Sequence, residues 1–246
     1  MSIKNNFPAL RPSLSLHFAK TKKLDPRITF TRASGGTYYD GETVAKAEEN
    51  LLRYSEQFDR GSTWSVRDVS IQANSAIAPD GTTTADTLLD TATNDDHYIF
   101  QSIGATSGGW TGSVFIKQKN AGIFVQIRPN GIGTGVAFAT FNPADGSLMQ
   151  SGGSGLVSTS SVSYNNGWYR ISISCATDLT DPFGGLNILL TNNATGGELP
   201  SYTGNGSGVY IWGAQLEQRD SVTTYTPTTD QPITRYQPVL LTAPAN

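Results

Sequence analysis

The sequence predicts an all-β protein of the sandwich or jelly-roll kind, and three observations carry that reading. Short runs of alternating apolar and polar residues recur along the chain, turn signals separate them, and helical periodicity is nearly absent. The alternation is clearest where Ile123, Val125 and Ile127 interleave with Phe124, Gln126 and Arg128, and where Ile171, Ile173 and Cys175 interleave with Arg170, Ser172 and Ser174. Such runs place one face of a strand in a core and leave the other face polar.

Strands are predicted at 51–57, 66–73, 84–90, 97–103, 111–119, 122–129, 135–141, 167–176, 185–191 and 208–217. The turns between them are chemically explicit: Pro79-Asp80-Gly81, Ser107-Gly108-Gly109, Asn130-Gly131, Asp145-Gly146, Asn165-Asn166-Gly167, Asp181-Pro182 and Thr195-Gly196-Gly197. Gly and Asn supply the positive φ that tight turns need, and Pro presets its own. A single short helix is predicted over Val44–Leu52, and no period of 20–50 residues repeats. The stretch 226–246, with Pro227, Pro232, Pro238 and Pro244, reads as an extended tail.

The first 46 residues form a segment of a different character. Leu14, Leu16 and Phe18 alternate with Ser13, Ser15 and His17, and Asp40-Gly41 sits between β-formers as a hairpin signal. These strands have too few apolar partners to stand alone. The domain reading is therefore a docking arm with a β-hairpin at 1–46, a β-sandwich at 47–227 and a Pro-containing tail at 228–246.

Composition narrows the class. Hydrophobic residues make up 37% and charged residues 15% of the 246, while Thr, Ser and Gly fill nearly a third. Thr favours strands and Ser and Gly favour turns, so the surface is built from hydroxyls and amides more than from charges. The net charge of −3 excludes recruitment of nucleic acid or an anionic membrane by the whole-molecule field. Charge is uneven, however. Residues 1–30 hold Lys4, Arg11, Lys20, Lys22, Lys23 and Arg27 against Asp25 alone, which leaves the rest of the chain at −8. Two readings are open for this arm: a solvated basic tail, or a segment whose Arg11, Lys20, Lys22, Lys23 and Arg27 dock on an acidic protein surface.

The residues for catalysis do not assemble into a pattern. His17 and His97 lie in different segments, and neither has a metal-ligand neighbour at strand or helix spacing. Cys175, the only cysteine, sits in an apolar run and reads as a core thiol, so no intramolecular disulfide exists. Gly131-Ile-Gly-Thr-Gly135 has no helix after it to present to a phosphate. Carboxylates are scattered, and Asp95 and Asp96, as neighbours, point to opposite faces of a strand. No Asp-x-Asp-x-Asp loop supports a calcium cage. The expectation is a protein without catalytic residues and without a cofactor, a structural calcium being the weakly supported alternative.

Aromatic residues remain as candidates for function, since their flat faces stack on sugar rings. Trp64, Trp168 and Trp212 read as core. Trp110, after a Ser-Gly-Gly turn, reads either as core or as a loop-edge platform, and Phe124, Gln126 and Arg128 share the less apolar face of one strand. These four, Trp110, Phe124, Gln126 and Arg128, are the candidate carbohydrate-binding residues.

Several stretches carry a family resemblance. Asn50 to Trp64 (NLLRYSEQFDRGSTW) and Ala78 to Leu88 (APDGTTTADTL) resemble the opening of the carbohydrate-binding-module-like jelly rolls of tailed-phage structural proteins. Asn166 to Ile173 (NGWYRISI) and Gly208 to Glu217 (GVYIWGAQLE) are similar to the strands that close that module. Leu24 to Ser34 (LDPRITFTRAS) resembles a segment that precedes such modules in phage virion proteins. The resemblance implies a jelly roll of two antiparallel sheets. In cellulase-type relatives a structural calcium is held partly by acids of the last strand; here that place reads Trp212-Gly213-Ala214.

The resulting expectation is a non-enzymatic virion surface protein, made in the host cytoplasm without a signal peptide. Its arm would anchor it to other virion proteins and its sandwich would adhere to host-surface polysaccharide, as part of a tail fibre or appendage. A homo-oligomer, a trimer in such a setting, is expected. Two alternatives stand beside this: a capsid decoration or cement protein, and an accessory carbohydrate-binding domain of a polysaccharide-degrading enzyme.

Overall fold

The computed structural model describes residues 46–104, 108–130, 136–176, 178 and 184–236. The arm residues Arg11, Lys20, Lys22, Lys23 and Arg27 lie outside this range, as do the predicted hairpin and His17. Sixteen strands are present among the described residues: β1 (Lys46–Asn50), β2 (Ser65–Arg67), β3 (Val69–Ala76), β4 (Ala85–Asp90), β5 (Asn94–Asp95), β6 (His97–Ser102), β7 (Trp110–Gln118) and β8 (Phe124–Asn130). There follow β9 (Phe138–Phe141), β10 (Leu148–Gly152), β11 (Leu156–Ser163), β12 (Tyr169–Cys175), β13 (Gly185–Thr191), β14 (Tyr202–Thr203), β15 (Gly208–Glu217) and β16 (Ile233–Tyr236).

Two six-stranded sheets form the sandwich, sheet I in the order β10-β9-β8-β13-β6-β2 and sheet II in the order β11-β12-β7-β15-β4-β3. All their pairings are antiparallel. The chain crosses repeatedly from one sheet to the other, which is the jelly-roll manner of closing a sandwich. The fold class is the predicted one.

Alternation builds the core. Trp110, Val114 and Ile116 of β7, Val125 and Ile127 of β8, Ile171 and Ile173 of β12 and Leu186, Ile188 and Leu190 of β13 form one buried cluster between the sheets. Each such aliphatic side chain stabilises the fold by roughly 1.5–3 kcal/mol when removed from water. A second, smaller cluster of Phe115, Trp168, Trp212, Ala78 and Ala85 lies on the outer side of sheet II.

Four local expectations are corrected. Lys46–Asn50 is strand β1, not helix, because it pairs antiparallel with β16. Residues 51–57 are turns and not a strand. The Ser-rich β10 and β11 are strands that alternation does not reveal, since β11 is an edge of sheet II with most of its residues exposed. Residues 226–236 were expected to be tail, yet Thr226 and Thr228 are buried. Thr226 N–H donates to Gln215 Oε1 at 2.7 Å, Thr228 Oγ1 donates to the Leu52 carbonyl at 2.8 Å, and Tyr54 N–H donates to the Thr229 carbonyl at 2.7 Å. The segment after β15 is thus a strap tied to the chain around Leu52.

Candidate functional site

The candidate residues fall on opposite sides of sheet I and sheet II according to strand parity. Trp110 shares the inward face of β7 with Val114 and Ile116, is 1% exposed, and offers no surface for stacking. This corrects its reading as a loop-edge platform: it begins β7 in register with Cys175, so its ring faces the core. Trp64, Trp168 and Trp212 are buried too, their indole N–H groups donating to the Tyr54 carbonyl, the Ile77 carbonyl and Thr84 Oγ1.

Phe124, Gln126 and Arg128 do share the outward face of β8. Phe124 is half-buried, whereas Gln126 and Arg128 are buried beneath the segment 196–199. Gln126 is a structural clamp: its Nε2 donates to Thr140 Oγ1 at 3.0 Å and the Gly197 carbonyl at 2.8 Å, and its Oε1 accepts from Leu199 N–H at 2.9 Å. With its amide so engaged, Gln126 is no glycan ligand, contrary to expectation. Gly197 N–H also donates to Gln150 Oε1 at 3.0 Å. These bonds hold Leu199 at a φ of 51°, a conformation that costs a non-glycine residue of order 1 kcal/mol or more. The bend sets Glu198 beside Arg128, where Nη2 and Oε1 are 3.2 Å apart.

The pairing register brings further residues to this face. Asn187 of β13 lies between Arg128 of β8 on one side and Phe100 of β6 on the other. Tyr98, two residues before Phe100 on β6, lies on the same face, and the two rings are 5.9 Å apart and inclined at 57°. Both rings are half-buried, presenting an apolar shelf with a polar side. The Arg67 guanidinium sits 5.9 Å from the Tyr98 ring and is held by Asp95 at 2.8 and 2.9 Å.

Electrostatics on this face are balanced. Burial pulls the Arg128 guanidinium below its ordinary value, against the opposing pull of Glu198, Tyr98 and Asp96. Asn187 is 3% exposed, and its Oδ1 is buried without a hydrogen-bond partner. Such an unmet acceptor costs about 1–3 kcal/mol unless a donor reaches it. Tyr98, Phe100, Asn187 and Glu198 were not singled out from the sequence. Tyr98 and Phe100 had a signal there, the alternation of two aromatics with His97, Ile99 and Gln101; Asn187 and Glu198 had none.

Other chemistry-bearing groups have structural partners. His97 is buried, with Nδ1 2.5 Å from the Asp68 carbonyl and Nε2 3.0 Å from the Tyr202 carbonyl. Burial pushes the Cys175 thiol up to about 12, so it is no nucleophile near neutrality. A separate concavity of about 580 Å³ is lined by polar residues including Glu56, Asp59, Arg60 and Asn74. Among the described residues no group of three or more His, Cys, Asp or Glu is placed to hold a metal ion.

Fold and face define the class: a two-sheet β-sandwich whose outer face on sheet I carries an aromatic shelf beside a buried polar row. No family model matches the chain, and no curated protein matches it. Among solved structures it is similar to the enzymatically active domain of tailspike protein 4 of bacteriophage CBA120, with 12% identity and a TM-score of 0.37 over 69% of this chain. The matched region is 21% of that domain, so the chain spans about a fifth of its length. It is also similar to a carbohydrate-binding module studied for specific mannan recognition, with 14% identity and a TM-score of 0.33, covering 72% of this chain and 99% of that one.

Proposed function

We propose that this chain is a non-enzymatic surface protein of a tailed-phage virion, a tail-fibre or appendage component that adheres to host-surface glycan. One observation carries the adhesion half: the half-buried rings of Tyr98 and Phe100 share one face of sheet I with Asn187, Arg128 and Glu198. Half-buried rings stack on the C–H face of a sugar, and fixed polar groups next to them orient its hydroxyls. The virion half is supported by the sequence resemblance over Leu24–Ser34, Asn50–Trp64 and Gly208–Glu217, and by a surface of hydroxyls in place of charges. In this reading the sandwich displays the site and the basic arm docks on other virion proteins, as a homo-oligomer.

The test is retention of the purified protein on host cells and on host polysaccharide. Wild type is expected to be retained, and a Tyr98→Ala, Phe100→Ala double variant to be released. Equal retention of both, or of neither, removes the adhesion reading.

A second reading, a cement protein that clamps a capsid, is favoured by β11. This edge strand of eight residues carries no charge and exposes Val157 and Val162 at 54% and 51%. An uncharged edge is open to pairing with a neighbouring chain. Copy number per virion separates the two, matching the head lattice for cement and the tail appendages for adhesion.

A further inference from the structure

The concavity of about 580 Å³ opens where the turn 56–62 faces Asn74 of β3, the edge strand of sheet II, and it shares no lining residue with the Tyr98 and Phe100 shelf. Its walls are fixed from behind. The buried Asp86 carboxylate accepts from Phe58 N–H at 3.0 Å and from Asn74 N–H at 2.9 Å, so one side chain ties the turn to the strand. Glu56 Oε1 accepts from the Tyr225 hydroxyl at 3.1 Å, and Arg60 lies 5.0 Å from the Tyr54 ring while its Nε donates to Gln57 Oε1 at 2.9 Å. The edge strand also leaves its regular course here. The β3–β4 register shifts between Gln72 and Ala76, and Asn74 takes a φ of 51°. Irregularities of this kind re-aim a side chain away from the plain alternation of a strand.

We propose that this concavity binds a neutral sugar, whose hydroxyls donate to the Glu56 and Asp59 carboxylates and accept from the Arg60 guanidinium and the Asn74 amide. It is a site additional to the aromatic shelf and does not depend on it. The volume falls within the roughly 300–1,000 Å³ of small-molecule sites. The lining supplies donors and acceptors together, with the Ser62 and Thr84 hydroxyls beside the four groups named. Asp59 and Asn74 are exposed, so a ligand reaches them. Charge sets the class. Two carboxylates line the concavity against one cation, and Asp80 near Glu56 and Asp86 near Asp59 add to the negative field, so a uronate or a sulfate is repelled. Arg60 in turn opposes an amine. A neutral polyol gains charge-assisted hydrogen bonds without carrying its own charge out of water. None of the described lining residues is aromatic, so stacking adds little and affinity is weak, of order 1 mM.

The experiment titrates the whole, ¹⁵N-labelled chain with neutral gluco-, manno- and galacto-oligosaccharides, with glucosamine and with galacturonate, at two salt concentrations, and reads amide shifts. Saturable shifts at 56–62 and at Asn74 are expected with at least one neutral sugar, with little salt dependence, and none with galacturonate. Asn74→Gly removes the amide yet keeps a backbone that glycine adopts freely, and Asp59→Ala removes an exposed carboxylate. Both are expected to keep the melting temperature and to weaken binding about five- to tenfold. Unchanged affinity in both variants overturns the assignment, as does the absence of shifts at 56–62 and 74 with every neutral sugar. Shifts with glucosamine alone, abolished by salt, overturn the neutral class. The Tyr98→Ala, Phe100→Ala variant separates the two sites. Shifts at 56–62 that persist in it support a site independent of the shelf, and sugar shifts confined to the neighbourhood of Tyr98 and Phe100 in wild type overturn the concavity and leave the shelf. Shifts at 56–62 in a wild type that host cells do not retain uphold this site and remove the adhesion reading.

Discussion

Trp212 and Ala214, two residues apart on β15, point to opposite faces of sheet II. Two-residue spacing normally keeps side chains on one face. Here Val209 and Ile211 lie in the main core, Trp212 lies in the outer cluster, and Ala214 and Leu216 lie in the main core again. The register shift between Trp212 and Gln215 absorbs one residue, and Gly213, at a φ of 59°, is the residue that turns. The bulge lets one strand serve two apolar clusters.

Gly213→Ala is therefore expected to destabilise. A Cβ at Gly213 would stand 3.0 Å from both the Phe115 and Tyr225 rings, and the backbone already requires the left-handed region. Strain of this kind costs about 1–3 kcal/mol. Denaturant unfolding is expected to show that loss, with the Trp212 environment perturbed in fluorescence.

Arg170 holds the strap across the outer cluster. Its guanidinium lies 5.4 Å from the Phe115 ring centre and 5.9 Å from that of Tyr225. Its Nη1 donates to the Thr223 carbonyl at 2.6 Å and its Nη2 to Ser113 Oγ at 3.0 Å. Arg170→Met keeps the bulk and loses these, at a cost of about 2–4 kcal/mol. Amide hydrogen exchange is expected to quicken in 222–229 before it does in β7 or β13.

Arg219 closes a buried acidic pair. Its Nε lies 3.5 Å from Glu217 Oε1 and 4.0 Å from Glu49 Oε2, and both acids are 1% exposed or less. Arg219→Met withdraws that cation and is expected to cost about 3–5 kcal/mol at neutral pH. Denaturant unfolding of the two proteins side by side measures the loss.

Asp86 gives the fold a pH dependence of definite sign. It accepts from Phe58 N–H at 3.0 Å and Asn74 N–H at 2.9 Å, yet burial outweighs these bonds and lifts its carboxyl to about 6. The folded chain thus holds this proton more tightly than the unfolded chain. Its contribution to stability is full below about pH 4 and declines as pH rises through about 6. Compared with Asp86→Asn, wild type is expected to lose roughly 1–3 kcal/mol between pH 4 and pH 7, and a carboxyl resonance should titrate near pH 6.

Much of the sandwich was legible because burial writes alternation into central strands. The facing of Ile123, Val125 and Ile127 against Phe124, Gln126 and Arg128 held, as did that of Ile171, Ile173 and Cys175. Alternation failed where neither face of a strand is buried, as in β11, and where a bulge resets it, as at Gly213. Lys46–Asn50 has helix-forming residues, but its partner Ile233–Tyr236 lies far along the chain, and local propensity gave way to that pairing.

The site followed the same division. Parity alone put Gln126 and Arg128 on one face, and parity would have sent Trp110 inward with Val114 and Ile116 had its place beside a Gly-rich turn not suggested exposure. Nothing local joins Asn187 to Phe100, or Glu198 to Arg128. By itself the sequence determined an all-β, charge-poor chain with its apolar residues on alternate faces, because those properties arise within single strands. Tertiary structure alone decided which strands became neighbours, that the strap covers one outer face, and that a paired Arg128 and an unpaired Asn187 acceptor share the other. Those relations depend on hydrogen-bond register between distant segments, and no short stretch of sequence encodes it.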